Sequence, residues 1–154
     1  RPEVDKNRVA AWGNDNAILA AALHDSFTQV ISTPAYLFDP IESMDRADSY
    51  PLAEFGDYIR SNPSDLDVVG SILEHYNLRW HTQSVTANTL IMADHESGIY
   101  SPNVLSDLEE SISGEITLHE SERSSFKDGM FAENWITGEM FGKDASPIVP
   151  EHWR

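Results

Sequence analysis

Four acids recur at every third position in the stretch Asp39-Pro40-Ile41-Glu42-Ser43-Met44-Asp45-Arg46-Ala47-Asp48. Carboxylates at short spacing in a turn can supply the several oxygens that magnesium or calcium requires. Pro40 keeps Asp39 out of helical geometry, as a loop ligand needs. Asp39, Glu42 and Asp45 are therefore candidate ligands for a divalent cation. The run has neither the glycine nor the spacing of an EF-hand loop, and a second reading stays open. In it, Asp48 or Ser49 caps the next helix, Asp45 pairs with Arg46, and the rest is solvated.

The histidines are His24, His75, His81, His95, His119 and His152. His75 and His81 fall on different helical faces, whereas Glu74 and His81 share one. His24-Asp25 resembles a metal-phosphohydrolase pair, but the other histidines do not support it. A lone histidine at the edge of an apolar face is commonly just a satisfied polar group. Glu109 and Glu110 lie beside an apolar stripe, where burial raises an acid's pKa and equips it for proton transfer. The bland alternative is a pair of surface glutamates. No His-x3-His or Glu-x-x-His pair, glycine-rich phosphate loop or Gly-x-Ser-x-Gly turn appears.

The elements that would position these groups read as helices. Leu19, Leu23, Phe27 and Val30 share one face of a helix beginning near Asn14-Asp15 and ended by Thr33-Pro34. The acid run follows as a loop or short turns. Leu52, Phe55 and Ile59 mark a short helix that Asn62-Pro63 breaks. Ser64 starts a longer one with a stripe of Leu66, Val69, Leu73, Tyr76 and Trp80. Ser84–Ala93 is ambiguous, and Gly98 marks a turn. Ser101-Pro102 starts a helix carrying Leu105, Leu108 and Ile112 up to Gly114. Glu115–Leu118 reads as a short strand or another helical turn. Phe126, Met130 and Phe131 begin a last helix that Gly138 ends, and the tail from Asp144 is extended. No apolar–polar alternation is long enough for a sheet. The expectation is an all-α fold: one compact helical domain over residues 1–154, of about five to seven helices.

The chain has 154 residues, 40% of them apolar, which suffices for a core and argues against disorder. Its formal charge of −16 disfavours nucleic acid and anionic membranes as partners. The simplest meaning of that charge is a solvated acidic surface. Cysteine is absent, which removes disulfides, thiolate metal sites and cysteine nucleophiles. No apolar run approaches a membrane span. The start at Arg1-Pro2, without Met, reads as a processed or trimmed end.

Taken in order, several segments resemble the heme-thiolate peroxidases, the chloroperoxidase and unspecific peroxygenase family. Gly13-Asn14-Asp15 heads an Ala-rich helix, and Phe38–Asp48 is similar to that family's acidic motif followed by Ser-x-x-Arg-x-Asp. Leu78-Arg79-Trp80-His81 resembles a Leu-Arg-aromatic-His helix of its longer members. Glu110 follows Asn103 at the spacing of the family's Arg…Glu pair, and Pro150–Arg154 is similar to its closing motif. The resemblance implies Glu110, His81 and Arg79 as the candidate catalytic residues. The chain departs from the family in lacking the Pro-Cys-Pro segment and any cysteine, and in holding Asn103 where the family has arginine. Thiolate-assisted peroxide cleavage is therefore not expected.

The leading functional expectation is an enzyme with a pocket for a small apolar molecule. It would perform non-redox acid–base chemistry of lyase, isomerase or cyclase type. Glu110 and His81 would exchange protons, with no cofactor beyond a candidate magnesium or calcium ion. Two rivals stand beside it. One is a heme peroxidase or peroxygenase-like protein with a missing N-terminal segment. The other is a non-catalytic acidic binding or inhibitor protein. Whether the chain is an enzyme at all, its oligomeric state and its localisation are left open by the sequence.

Overall fold

The structure, a computed structural model, describes residues 5–33, 37–47, 50–94 and 104–142. Several sequence readings lie outside these residues. They are the Arg1-Pro2 start, the Asp48 and Ser49 caps, His95, the Gly98 turn, the Ser101-Pro102 helix start, Asn103, and the tail with His152. The chain divides into two compact units, Arg1–Glu120 and Ser121–Arg154.

The first unit is built on four strands in the order β1 (Ala10–Gly13), β2 (Gln29–Ser32), β3 (Asn88–Ala93) and β4 (Ile116–Glu120). All three pairings are parallel, with Trp12 beside Ile31, Ile31 beside Leu90 and Leu90 beside Thr117. Helix α1 (Asp15–Leu23) connects β1 to β2 and lies against both. Helices α2 (Pro40–Met44), α3 (Leu52–Ser61) and α4 (Leu66–Glu74) fall between β2 and β3, and α5 (Val104–Ser111) falls between β3 and β4. The fold is α/β, which overturns the all-α expectation.

The reason lies in how parallel strands are buried. A strand covered on both faces reads as a continuous apolar run and shows no alternation. Val30-Ile31 and Leu90-Ile91 are fully buried, and the β-branched residues among them suit a pleated strand. The register puts Val30, Ile91 and Ala93 on one face, where they join Ile18, Leu78, Val85 and Leu108 in the core. Ile31 and Leu90 are buried on the other. The helical spacing from Leu19 to Val30 thus spans two elements. Helix α1 stops at His24, whose backbone is extended (φ −140°), and the chain turns at Asp25-Ser26 into β2.

Elsewhere the helical reading matches the structure better. Asn14 caps α1, its Oδ1 accepting from the Asn16 N–H at 3.1 Å. Helices α3 and α4 occur where the apolar spacing places them, although α4 ends before Tyr76 and Trp80. Met44, Leu52 and Leu73, from α2, α3 and α4, form a small core of their own with Ile59 and Val69 at its margin.

In the second unit, α6 (Ser125–Phe141) runs through Gly138 and ends at Gly142, which takes the left-handed conformation (φ 62°). Ser124 caps its start by accepting from the Lys127 N–H at 3.3 Å. The Asp128 carboxylate accepts from the Ser121 hydroxyl at 2.8 Å and the Glu122 N–H at 3.0 Å.

Candidate functional site

In open parallel sheets, ligands bind beyond the carboxyl ends of the strands. Here β1 ends at Gly13, Asn14 makes the turn, and Asp15 is the first residue of α1. Asp15 is 3% exposed as a residue, an uncommon place for an acid. Oδ2 accepts the Leu37 N–H at 3.2 Å. Asp15 also lines a cavity of about 230 Å³, together with Asn14, Asn16, Leu37, Pro51 and Tyr76. At the same edge Ser32 ends β2, and its hydroxyl is buried with no hydrogen-bond partner among the described residues. Asp94 follows β3 there, half-buried.

A second constellation adjoins the first through residues 37–39. Leu37 accepts the Leu78 N–H at 2.8 Å. Asn77 is fully buried, and its Oδ1 accepts both the Asp39 N–H at 3.2 Å and the Arg79 N–H at 3.1 Å. Its Nδ2 donates to Asp39 Oδ1 at 3.2 Å and to the Glu74 carboxylate at 3.3 Å. Asp39 sits in the left-handed region (φ 53°), where Asp and Asn are the tolerated non-glycine residues. Arg79 is ion-paired with Asp39 and with Asp107, the latter at 3.2 Å, and its guanidinium lies 5.1 Å from the Phe38 ring centroid. Phe38, Arg79, Gln83, Asp107, Glu110 and Ser111 line an open cavity of about 340 Å³.

The structure thus brings Arg79 and Glu110 to one cavity and adds Asp107, which the sequence did not single out. Glu110 is exposed on α5, whose inward face is Val104, Leu105 and Leu108. The burial expected for Glu110 is absent, because residue 110 falls outside that stripe. His81 is half-buried and donates Nε2–H to the His75 carbonyl at 3.0 Å, and the cavity at Glu110 does not include it. Glu74, expected beside His81, instead accepts the Trp80 indole N–H at 2.6 Å. Of the acid run, Asp39 pairs with Arg79, Glu42 pairs with Arg46, and Asp45 is exposed after α2. Among the described residues, no three acids or histidines come together to hold a metal ion.

Asp15 is not visible in a Gly-x-Ser-x-Gly pattern, which has serine at its third position. Gly13-Asn14-Asp15-Asn16-Ala17 occupies the same strand–turn–helix context with aspartate there. A glycine closing a short apolar run before a capped helix was the available signal.

No family model and no curated protein sequence matches the chain. Similar solved structures include two acetyl xylan esterases. That of Paenibacillus sp. R4 is 20% identical, with a TM-score of 0.72 over 90% of this chain and 47% of its own. That of Thermoanaerobacterium sp. JW/SL YS485 is 19% identical, with a TM-score of 0.73 over 92% of this chain and 48% of its own. This chain therefore spans about half the length of each. The likeness shows that the α/β fold of this chain is shared with those two proteins, and it overturns the resemblance to heme-thiolate peroxidases. The lyase, isomerase or cyclase reading falls too, because it rested on a helical pocket around a buried Glu110 that the chain does not form.

Proposed function

We propose that the chain carries the reacting edge of a hydrolase acting on a small, neutral ester, with the Asp15 carboxylate as the attacking group. The observation that carries this reading is the placement of Asp15. It is a nearly buried carboxylate at the strand-to-helix turn, on the carboxyl edge of a parallel sheet and in the wall of a cavity. A serine at such a turn needs a base to take its proton, whereas a carboxylate is a nucleophile once ionised. Asp15 Oδ would bond to the acyl carbon as the alcohol leaves with a proton from water. The hydroxide left by that water would then split the anhydride, releasing the acid and restoring the carboxylate. That the structural neighbours are acetyl xylan esterases supports the substrate class. The acidic surface favours neutral over anionic substrates and speaks against nucleic acid. Among the described residues, no helix is long and apolar enough to cross a membrane.

A specific observation favours a second reading, ligand binding without turnover. Among the described non-glycine residues only Asp39 and Arg123 have positive φ. Asp15 therefore does not sit on the strained turn that thrusts a nucleophile forward. Hydrolysis of 4-nitrophenyl acetate by the intact chain and by Asp15→Asn separates the two. Asparagine can still accept the Leu37 N–H but cannot attack. Hydrolysis by the native chain, lost by about a hundredfold or more in Asp15→Asn at unchanged thermal midpoint, supports the first. Absence of turnover by the native chain, or full activity in the variant, overturns it.

A further inference from the structure

Between β2 and β3 the chain builds a cavity that the reading of Asp15 does not use. It encloses about 510 Å³ and is lined by Tyr50, Pro51, Glu54, Phe55, Tyr58 and Val69. Only Pro51 is shared with the cavity at Asp15. Three of the six side chains are aromatic and one is a carboxylate, and the rings stand well exposed: Tyr50 75%, Tyr58 47% and Phe55 39%. Singly exposed aromatics need no explanation, but three around one concave volume do.

The surroundings hold the lining in place. Leu52, between Tyr50 and Phe55, is fully buried against Met44 and Leu73, which fixes the start of α3. The Tyr58 hydroxyl donates to Asp65 Oδ2 at 2.6 Å, which tethers the far end of its ring. The Asp65 carboxylate also holds that phenol above its ordinary pKa, so the ring stays neutral through the physiological range. The one cation of α3, Arg60, is ion-paired with Asp57. Val69 supplies an apolar wall from the margin of the small core.

Aromatic faces are electron-rich and attract cations that hold their hydration weakly. Glu54 adds a full negative charge, and the chain's −16 adds a long-range field of the same sign. An anion would meet Glu54 and three aromatic side chains with no cation in the lining. A strongly hydrated metal ion would find one carboxylate where it needs several oxygens. We infer that this cavity binds a small organic cation of the quaternary-ammonium type, held by Tyr50, Phe55 and Tyr58 and balanced by Glu54. The volume falls in the range of small-molecule sites, with room for a substituent beyond the ammonium head.

Ligand-observed NMR titration of the intact chain tests this at fixed ionic strength, with choline chloride and its uncharged isostere 3,3-dimethylbutan-1-ol as probes. Choline should bind saturably, and the isostere should bind on the order of tenfold more weakly. Tyr58→Leu and Glu54→Gln should each weaken choline several-fold. Tyr50→Leu, at the most exposed ring, gives the same readout with the least risk to folding. Asp15→Asn should leave choline binding unchanged, so failure of the hydrolase reading does not touch this one. Equal binding of the uncharged isostere would reduce the cavity to an apolar groove and overturn the inference. Unsaturable choline binding would overturn it, and so would affinity indifferent to all three cavity substitutions.

Discussion

Asn77 is a fully buried amide that holds Asp39 and Arg79 at once. Its oxygen accepts from the Asp39 and Arg79 N–H groups, and its nitrogen donates to the Asp39 and Glu74 carboxylates. No other uncharged side chain of this size carries donor and acceptor together in that geometry. Asn77→Ala would leave the part-buried N–H groups of Asp39 and Arg79 without their acceptor, and an unsatisfied buried group costs about 1–3 kcal/mol. The expected result is a destabilisation of that order in chemical denaturation, with Asp39 no longer held in its left-handed conformation. A variant as stable as the native chain would show that water replaces the amide. The sequence revealed part of this cluster. Pro40 implied that Asp39 lies outside a helix, and Arg79 stood out by its neighbours. Their pairing could not be seen, because it bridges forty positions and depends on the sheet that brings residues 37–39 beside 77–79. Asp15 was legible only as the start of a helix. Its place at a strand end depends on β1, and Val9-Ala10-Ala11-Trp12 carries little strand signal.

Gly114 shows an element-level constraint that its sequence context disguises. After a helical stripe it reads as a helix stop. In the structure it is where the chain, leaving α5 for β4, passes against the segment before β3. Ser113 and Gly114 both donate their N–H groups to the Val85 carbonyl, at 3.1 and 3.0 Å. A Cβ on Gly114 would stand 2.2 Å from the Ala87 carbonyl oxygen, which is backbone and cannot swing aside. Gly114→Ala should therefore destabilise the chain by about 1–3 kcal/mol or more, read as a lower denaturation midpoint. Gly129→Ala, with open space around its Cβ position, is the control and should be neutral or stabilising. An equal effect of the two substitutions would mean that the close approach at Gly114 is not made. The helices were legible because their partly exposed faces impose a period: α3, α4 and α5 all occur where the apolar spacing places them. The strands were not, because β2 and β3 are buried on both faces and show no period. Val30 even fell in step with the stripe of α1 by coincidence of spacing. The segment 115–118 suits either strand or helix by its sequence, and pairing with β3 makes Ile116–Glu120 the strand β4.

At the scale of the whole chain, the decisive quantity is the charge. Twenty-six acids face ten lysines and arginines, so even one-to-one pairing would leave sixteen carboxylates unmatched. The ion pairs present, such as Arg46–Glu42 and Arg60–Asp57, are largely exposed and contribute little each. Repulsion among the remaining acids acts over many pairs and opposes the compact state. Salt shortens the reach of that repulsion from about 30 Å at 0.01 M to about 3 Å at 1 M. It weakens the exposed pairs as well, but repulsion outnumbers attraction here. The thermal midpoint should therefore rise with sodium chloride by a few degrees, where about 1 kcal/mol corresponds to roughly 2–8 °C. A midpoint that falls with salt would mean the ion pairs dominate. Magnesium and calcium make the comparison sharper. Asp39 and Glu42 already face Arg79 and Arg46, so a divalent ion would have to displace both guanidinium groups to reach them. At matched ionic strength, sodium and magnesium should shift the midpoint equally. An additional rise with magnesium or calcium, reversed by chelator, would follow the mass-action law for a bound ligand. That result would restore the acid run of Asp39, Glu42 and Asp45 as a cation site.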